Sequence, residues 1–95
     1  MGKIWLDELR GGIKMIRKIY ANTDHGVHAL MSVVSTLRRK EFDIVGVSMD
    51  YVDDCKAELC ITLREHAKLN AEYAKFQLEK IIDIQNIMIG GGEQQ

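Results

Sequence analysis

The chain has 95 residues, of which 46% are hydrophobic and 28% charged, with a formal net charge of −1. That is the length of one domain of ordinary globular composition. Such a chain buries only about 65% of the surface its unfolded form exposes, which leaves little room for both a core and an enclosed active site. Near-neutral charge gives no electrostatic case for nucleic acid or an anionic membrane as partner, and no apolar run is long enough to span a bilayer.

Residues 1–12 hold Ile4, Trp5 and Leu9 and end in Gly11-Gly12. Asp7, Glu8 and Arg10 stand where a signal peptide needs an apolar stretch, so a cytoplasmic location is expected. The segment reads as an N-terminal arm. From Ile13 to Asn22, Ile13, Met15, Ile19 and Ala21 recur at alternate positions, with Arg17 the exception, which predicts a strand. Thr23 or Asp24 can cap the helix expected from Val27 to Lys40. Its apolar stripe is Val27, Leu30, Met31, Val34 and Leu37, and Arg38, Arg39 and Lys40 suit the negative end of its dipole.

Phe42 to Val52 predicts a second strand, with Val45, Val47, Met49 and Tyr51 on one face. Asp53-Asp54-Cys55-Lys56 reads as a turn, and Ala57 to Arg64 as a third strand with Leu59, Ile61 and Leu63 inward, forming a hairpin with the second. Cys55 and Cys60 are too awkwardly spaced across an extended backbone for a disulfide and are read as free thiols. His66 to Ile81 predicts the second helix, with Ala67, Ala71, Ala74, Leu78 and Ile81 in its stripe and Leu69, Tyr73 and Phe76 widening it. Ile82 to Ile89 predicts a fourth strand whose apolar phase slips between Ile84 and Ile87, the mark of a bulge or an end. The glycine run and polar end at residues 91–95 read as a disordered tail.

The order β-α-β-β-α-β predicts an α+β ferredoxin-like sandwich: four antiparallel strands, with both helices on one face. The second strand falls at a sheet edge in this topology. It is long and β-prone, and such an edge invites another chain; a homodimer through sheet edges is expected. The alternative is a monomer whose edge is covered by residues 1–12. The uncovered sheet face is expected to carry Ile44, Gly46, Ser48, Asp50 and Val52 beside Glu58, Cys60 and Thr62.

Three segments carry a likeness. Thr23 to Val27 reads T-D-H-G-V, Leu37 to Met49 reads L-R-R-K-E-F-D-I-V-G-V-S-M, and Gln77 to Ile84 reads Q-L-E-K-I-I-D-I. Together they resemble the ACT domain of acetolactate synthase (acetohydroxyacid synthase) small subunits, over about residues 13–90. That family has N-x-P-G-V in its first loop, F-N-I-x-S at the start of its second strand and Q-L-x-K-L-x-D-V at the end of its second helix. The last motif is the most specific match, through Gln77, Leu78, Lys80 and Asp83.

The resemblance implies a regulatory subunit without an active site, which raises the activity of a catalytic subunit in branched-chain amino acid biosynthesis. Thiamine diphosphate, magnesium and FAD would sit on that partner, with no cofactor on this chain. It also implies that a branched-chain amino acid, usually valine, binds between two ACT domains. By resemblance the effector site would comprise Thr23, Asp24, His25, Gly26, Val27, Asp43 and Ile44. Helix-terminal N–H groups near Gly26 and Val27 could receive its carboxylate, Gly26 would allow close approach, and a neighbouring chain's second strand would supply further contacts. The chain departs from the family at Thr23, His25 and Asp43, where the pattern has Asn, Pro and Asn. A carboxylate brought to Asp43 would meet about 4 kcal/mol of repulsion at ~4 Å and an effective dielectric of ~20, before solvent screening, and for an ammonium the sign reverses. Weak or absent valine binding is therefore expected, and the chain resembles the short single-domain type of small subunit, which in the family can be insensitive to valine. A free-standing ACT-domain amino-acid sensor, or a module regulating another enzyme, is the competing reading; the Gln77–Asp83 run favours the first.

Other chemistry is thinner. Asp24, His25 and His28 could ligate a metal, but polar residues at a helix start are commonly caps, and a clear fourth ligand is missing. Cys60 and His66 could be nucleophile and base, yet no third group orients them. RNA-binding sheets of this type expose aromatics on their central strands; Cys60, Thr62 and Arg17 are assigned to those positions here, so no nucleic-acid partner is expected.

Overall fold

β1 (Ile16–Thr23) runs antiparallel to β3 (Ala57–Arg64) without interruption, from Ile16 opposite Arg64 to Thr23 opposite Ala57. β2 (Asp43–Tyr51) flanks β3 and β4 (Ile84–Gly90) flanks β1, both antiparallel, so the sheet order is β2-β3-β1-β4. Two helices, α1 (Gly26–Arg39) and α2 (Ala71–Leu78), complete the order β-α-β-β-α-β, the ferredoxin-like α+β arrangement. The structure is a computed structural model and describes residues 16–66 and 68–90. The expected arm, the strand residues Ile13 and Met15, the helix residue Ala67 and the expected tail lie outside the described residues.

Alternation holds the sheet to the helices. Ile19 and Ala21 of β1 and Leu59, Ile61 and Leu63 of β3 are buried on one face, against Ala29, Val33 and Leu37 of α1 and Ala74 and Leu78 of α2. Each large aliphatic side chain so buried contributes roughly 1.5–3 kcal/mol. Small Ala29, Ala71 and Ala74 let the helix backbones approach the strands.

Four expectations are corrected. The buried stripe of α1 is Gly26, Ala29, Val33 and Leu37, while Val27 is 52% and Met31 63% exposed. Ala29 joins the core and Leu30 packs against it, while Val27 and Met31 turn outward. Second, α2 begins at Ala71, not His66. The Glu65 carboxylate accepts from the Ala71 N–H (2.7 Å) and Asn70 Oδ1 from the Tyr73 N–H (2.9 Å), so the donors of the first turn are satisfied there. His66 and Leu69 exchange backbone hydrogen bonds in a tight connection before it, and Ile81 follows in a turn. Third, Ile44 packs on the core side. A register shift between Ile44 and Gly46 puts an extra residue, Val45, into β2 and reverses the phase behind it. Fourth, Arg17 is not on the open face: it follows the inward phase of β1 and reaches Glu65 (3.7 Å) and Glu72 (3.9 Å). Tyr20 is the aromatic that central strand β1 exposes.

The bulge expected in β4 is present: its register with β1 shifts between Tyr20 and Asn22, and Asn86 takes a φ of 54°. The turn after β2 is held by Asp53 Oδ1, which accepts from the N–H groups of Cys55 and Lys56, each at 2.9 Å. α1 ends in a Schellman motif. The Phe42 N–H donates to the Leu37 carbonyl and the Glu41 N–H to the Arg38 carbonyl, with Glu41 at φ 69°. Phe42 thereby enters the core, its ring 5.6 Å from that of Tyr73. Among the described residues no helix is long and apolar enough to cross a membrane.

Candidate functional site

Thr23, at the end of β1, is 1% exposed. Its hydroxyl donates to the Asp83 carbonyl (2.7 Å) and accepts from the His25 N–H (3.0 Å). Neither Thr23 nor Asp24 caps α1: His25 is the N-cap, without a side-chain bond to the helix. His25 Nε2 instead stands 3.5 Å from Asp83 Oδ1. The loop from β1 to α1 is thus tied to the connection between α2 and β4. Asp24 is exposed and lines a cavity of about 290 Å³ with Asn22, Lys56 and Gln85.

Gly26 has a φ of +51°, in the left-handed region that favours glycine. The absent side chain does allow a close approach, and within this chain the group that approaches is the Tyr51 hydroxyl, from the end of β2. A Cβ on Gly26 would collide with that oxygen. Tyr51 is therefore part of the site, and sequence reasoning missed it: no local pattern links a residue of β2 to a helix start 25 positions earlier. Asp83 was legible only through its place in the third motif.

Asp43 and Ile44 stand at the far end of β2. The nine-residue strand, at about 3.3 Å for each step along it, separates that end from Tyr51. Asp43 Oδ2 faces His66 Nε2 (3.2 Å) and Arg64 Nη1 (3.6 Å), so its charge already has basic neighbours. One chain therefore brings Thr23, Asp24, His25, Gly26 and Val27 together and leaves Asp43 and Ile44 apart from them. Among the described residues no three His, Cys, Asp or Glu side chains are grouped to hold a metal ion; His25 is turned toward Asp83 instead.

The surface beside this loop is apolar. Val27 and Met31 face outward from α1, and Val45, Val47, Tyr51 and Val52 are exposed along the β2 edge. Gly26 under Tyr51 joins the two elements, so helix side and strand edge form one flank of the molecule. Against known proteins, no family model matches the chain, and no curated protein matches it either.

Proposed function

We propose that this chain is the regulatory small subunit of an acetolactate synthase, an ACT domain without an active site that activates the catalytic subunit through protein contacts. The observation that carries the reading is the Thr23–Asp83 hydrogen bond. It joins two of the three segments in which the resemblance lies, 60 residues apart in the chain, so that they act as one structural unit.

The outward flank of α1 and the β2 edge suit a symmetric dimer through sheet edges. If two β2 strands pair antiparallel about a two-fold axis, Asp43 and Ile44 of one copy come alongside the Tyr51 and Gly26 end of the other. A branched-chain amino acid would then lie between loop and neighbouring strand, with Asp43 and the Tyr51 hydroxyl as obstacles to it. Thiamine diphosphate, magnesium and FAD belong to the catalytic subunit in this reading, and the chain works without a cofactor in the cytoplasm.

The test is acetolactate formation by the catalytic subunit from the same genome, with and without this chain, across a valine titration. Stimulation without inhibition is expected. Stimulation followed by valine inhibition would mean that Asp43 and Tyr51 do not block the effector. Absence of stimulation would remove the chain from this role and leave a free-standing amino-acid sensor or a module of another enzyme.

A further inference from the structure

Both helices cover one face of the sheet, and the register orders the side chains of the other into rows across the strands. One row runs Met88, Tyr20, Cys60, Ser48. On one side of it lies Gln85, Asn22, Glu58, Asp50; on the other Gly90, Lys18, Thr62, Gly46. Antiparallel sheets with a solvated face carry polar residues there. Here Met88 is 62% and Tyr20 42% exposed. The Tyr20 ring is laid over β4 at Gly90, where a Cβ would strike it, so it lies low across the sheet. A cavity of about 490 Å³ opens on this face between Tyr20, Asn22, Glu58 and Met88.

We propose that this open face is a self-association surface that takes a second copy of the chain turned end for end, with Tyr20 and Met88 at its centre. The argument is charge complementarity. The row beyond Tyr20 toward the β2–β3 turn carries Glu58 and Asp50, and the row on the opposite side carries Lys18. Past the acidic row, Asp24 and Lys56 offset one another in formal charge, and at the other end Arg64 is already beside Asp43. The face is therefore polarised, negative on one side of Tyr20 and positive on the other. A two-fold axis lying over the Tyr20 row lays each copy's Lys18 row along the other's acidic row, with Lys18 over Asn22 and one strand, about 4.8 Å, from Glu58, and sets Cys60 opposite its own copy. The same polarity opposes stacking in the parallel sense, which would align like charges.

Four strands about 4.8 Å apart and a few rows deep give on the order of 500 Å² in projection. That is below the ~800 Å² per partner of a standard stable interface, so the association is reversible and concentration-dependent. Its axis runs parallel to the sheet, above the open face, and leaves the β2 edge free.

Sedimentation equilibrium of the full chain over a range of concentrations tests this. Lys18→Glu and Glu58→Lys should each weaken association by about tenfold or more, and the double exchange should restore it, because the pair then meets with signs reversed. In a Cys55→Ser variant, a short bismaleimide should link two chains through Cys60. Association that ignores both charge exchanges would overturn the proposal in favour of another interface, such as the β2 edge. A chain that stays monomeric would overturn it too. Cys60 shielded from maleimide relative to Cys55 in the monomeric wild-type chain would likewise overturn it, since the face would then be covered within one chain.

Discussion

The hydroxyl of Thr23 lies 2.7 Å from the carbonyl oxygen of Asp83 and donates to it, while accepting the N–H of His25. One buried side chain thus fixes the start of α1 against the start of β4. Replacing it isolates those bonds from its bulk. Thr23→Val keeps the shape and leaves a donor and an acceptor without partners, which costs about 2 kcal/mol. Thr23→Ser keeps both bonds and loses one methyl group, about 1 kcal/mol. Urea unfolding of the three proteins checks the order; Val as stable as Thr would show that the loop is held by other contacts.

Glu41 occupies the left-handed position that closes α1, where glycine is the usual residue. The motif is anchored by burial of Phe42 and Leu37 and not by the Glu41 side chain, which is exposed. Glu41→Gly should therefore raise stability by about 0.5–1 kcal/mol, as relief of backbone strain outweighs the added freedom of the unfolded chain. A lowered midpoint of thermal unfolding would contradict this account of the helix end.

Much of this architecture is legible in the chain itself. β3 is, because Leu59, Ile61 and Leu63 alternate strictly with polar neighbours, and so is the edge position of β2, which follows from element order. The rotation of α1 is not. Periodicity counts Val27 and Met31 as core because they are apolar, and passes over Ala29, which is buried. The start of α2 depends on Glu65, whose carboxylate reaches the Ala71 N–H from outside the helix. Ile44 changes face through a bulge that only pairing with β3 reveals. Of the candidate site, the residues contiguous in sequence fell together; Tyr51, delivered by a distant strand end, carries no local signal.

Acid stability offers a check on the β2–β3 turn. Two backbone N–H donors, from Lys56 and then Cys55, hold the Asp53 carboxyl below its ordinary value of 3.8. A depressed folded value means that the carboxylate favours the folded state at pH above 3.8 and that this contribution fades as pH falls below it. Asp53→Asn retains an acceptor oxygen but does not titrate. Its stability should fall less steeply than wild type between pH about 4 and the acid end of the profile. Parallel profiles would show that the turn does not sense the charge.

The two apolar sides of α1 make opposite predictions for neighbouring residues. Val33 is 1% exposed, and Val33→Ala leaves a cavity that the sheet cannot close, so it should cost about 2 kcal/mol in dilute solution. Met31 touches little within the chain, and Met31→Ala should stay within about 0.5 kcal/mol of wild type under the same conditions. The pattern reverses where chains meet. If the flank of α1 and the β2 edge join two copies, Met31→Glu weakens that dimer while the dilute monomer keeps its stability, and Val33→Ala lowers stability without a selective effect on association. Chemical unfolding at low concentration, paired with sedimentation at high concentration, separates the two. A Met31→Glu protein that associates as wild type does would leave the outward side of the helix without a role in assembly.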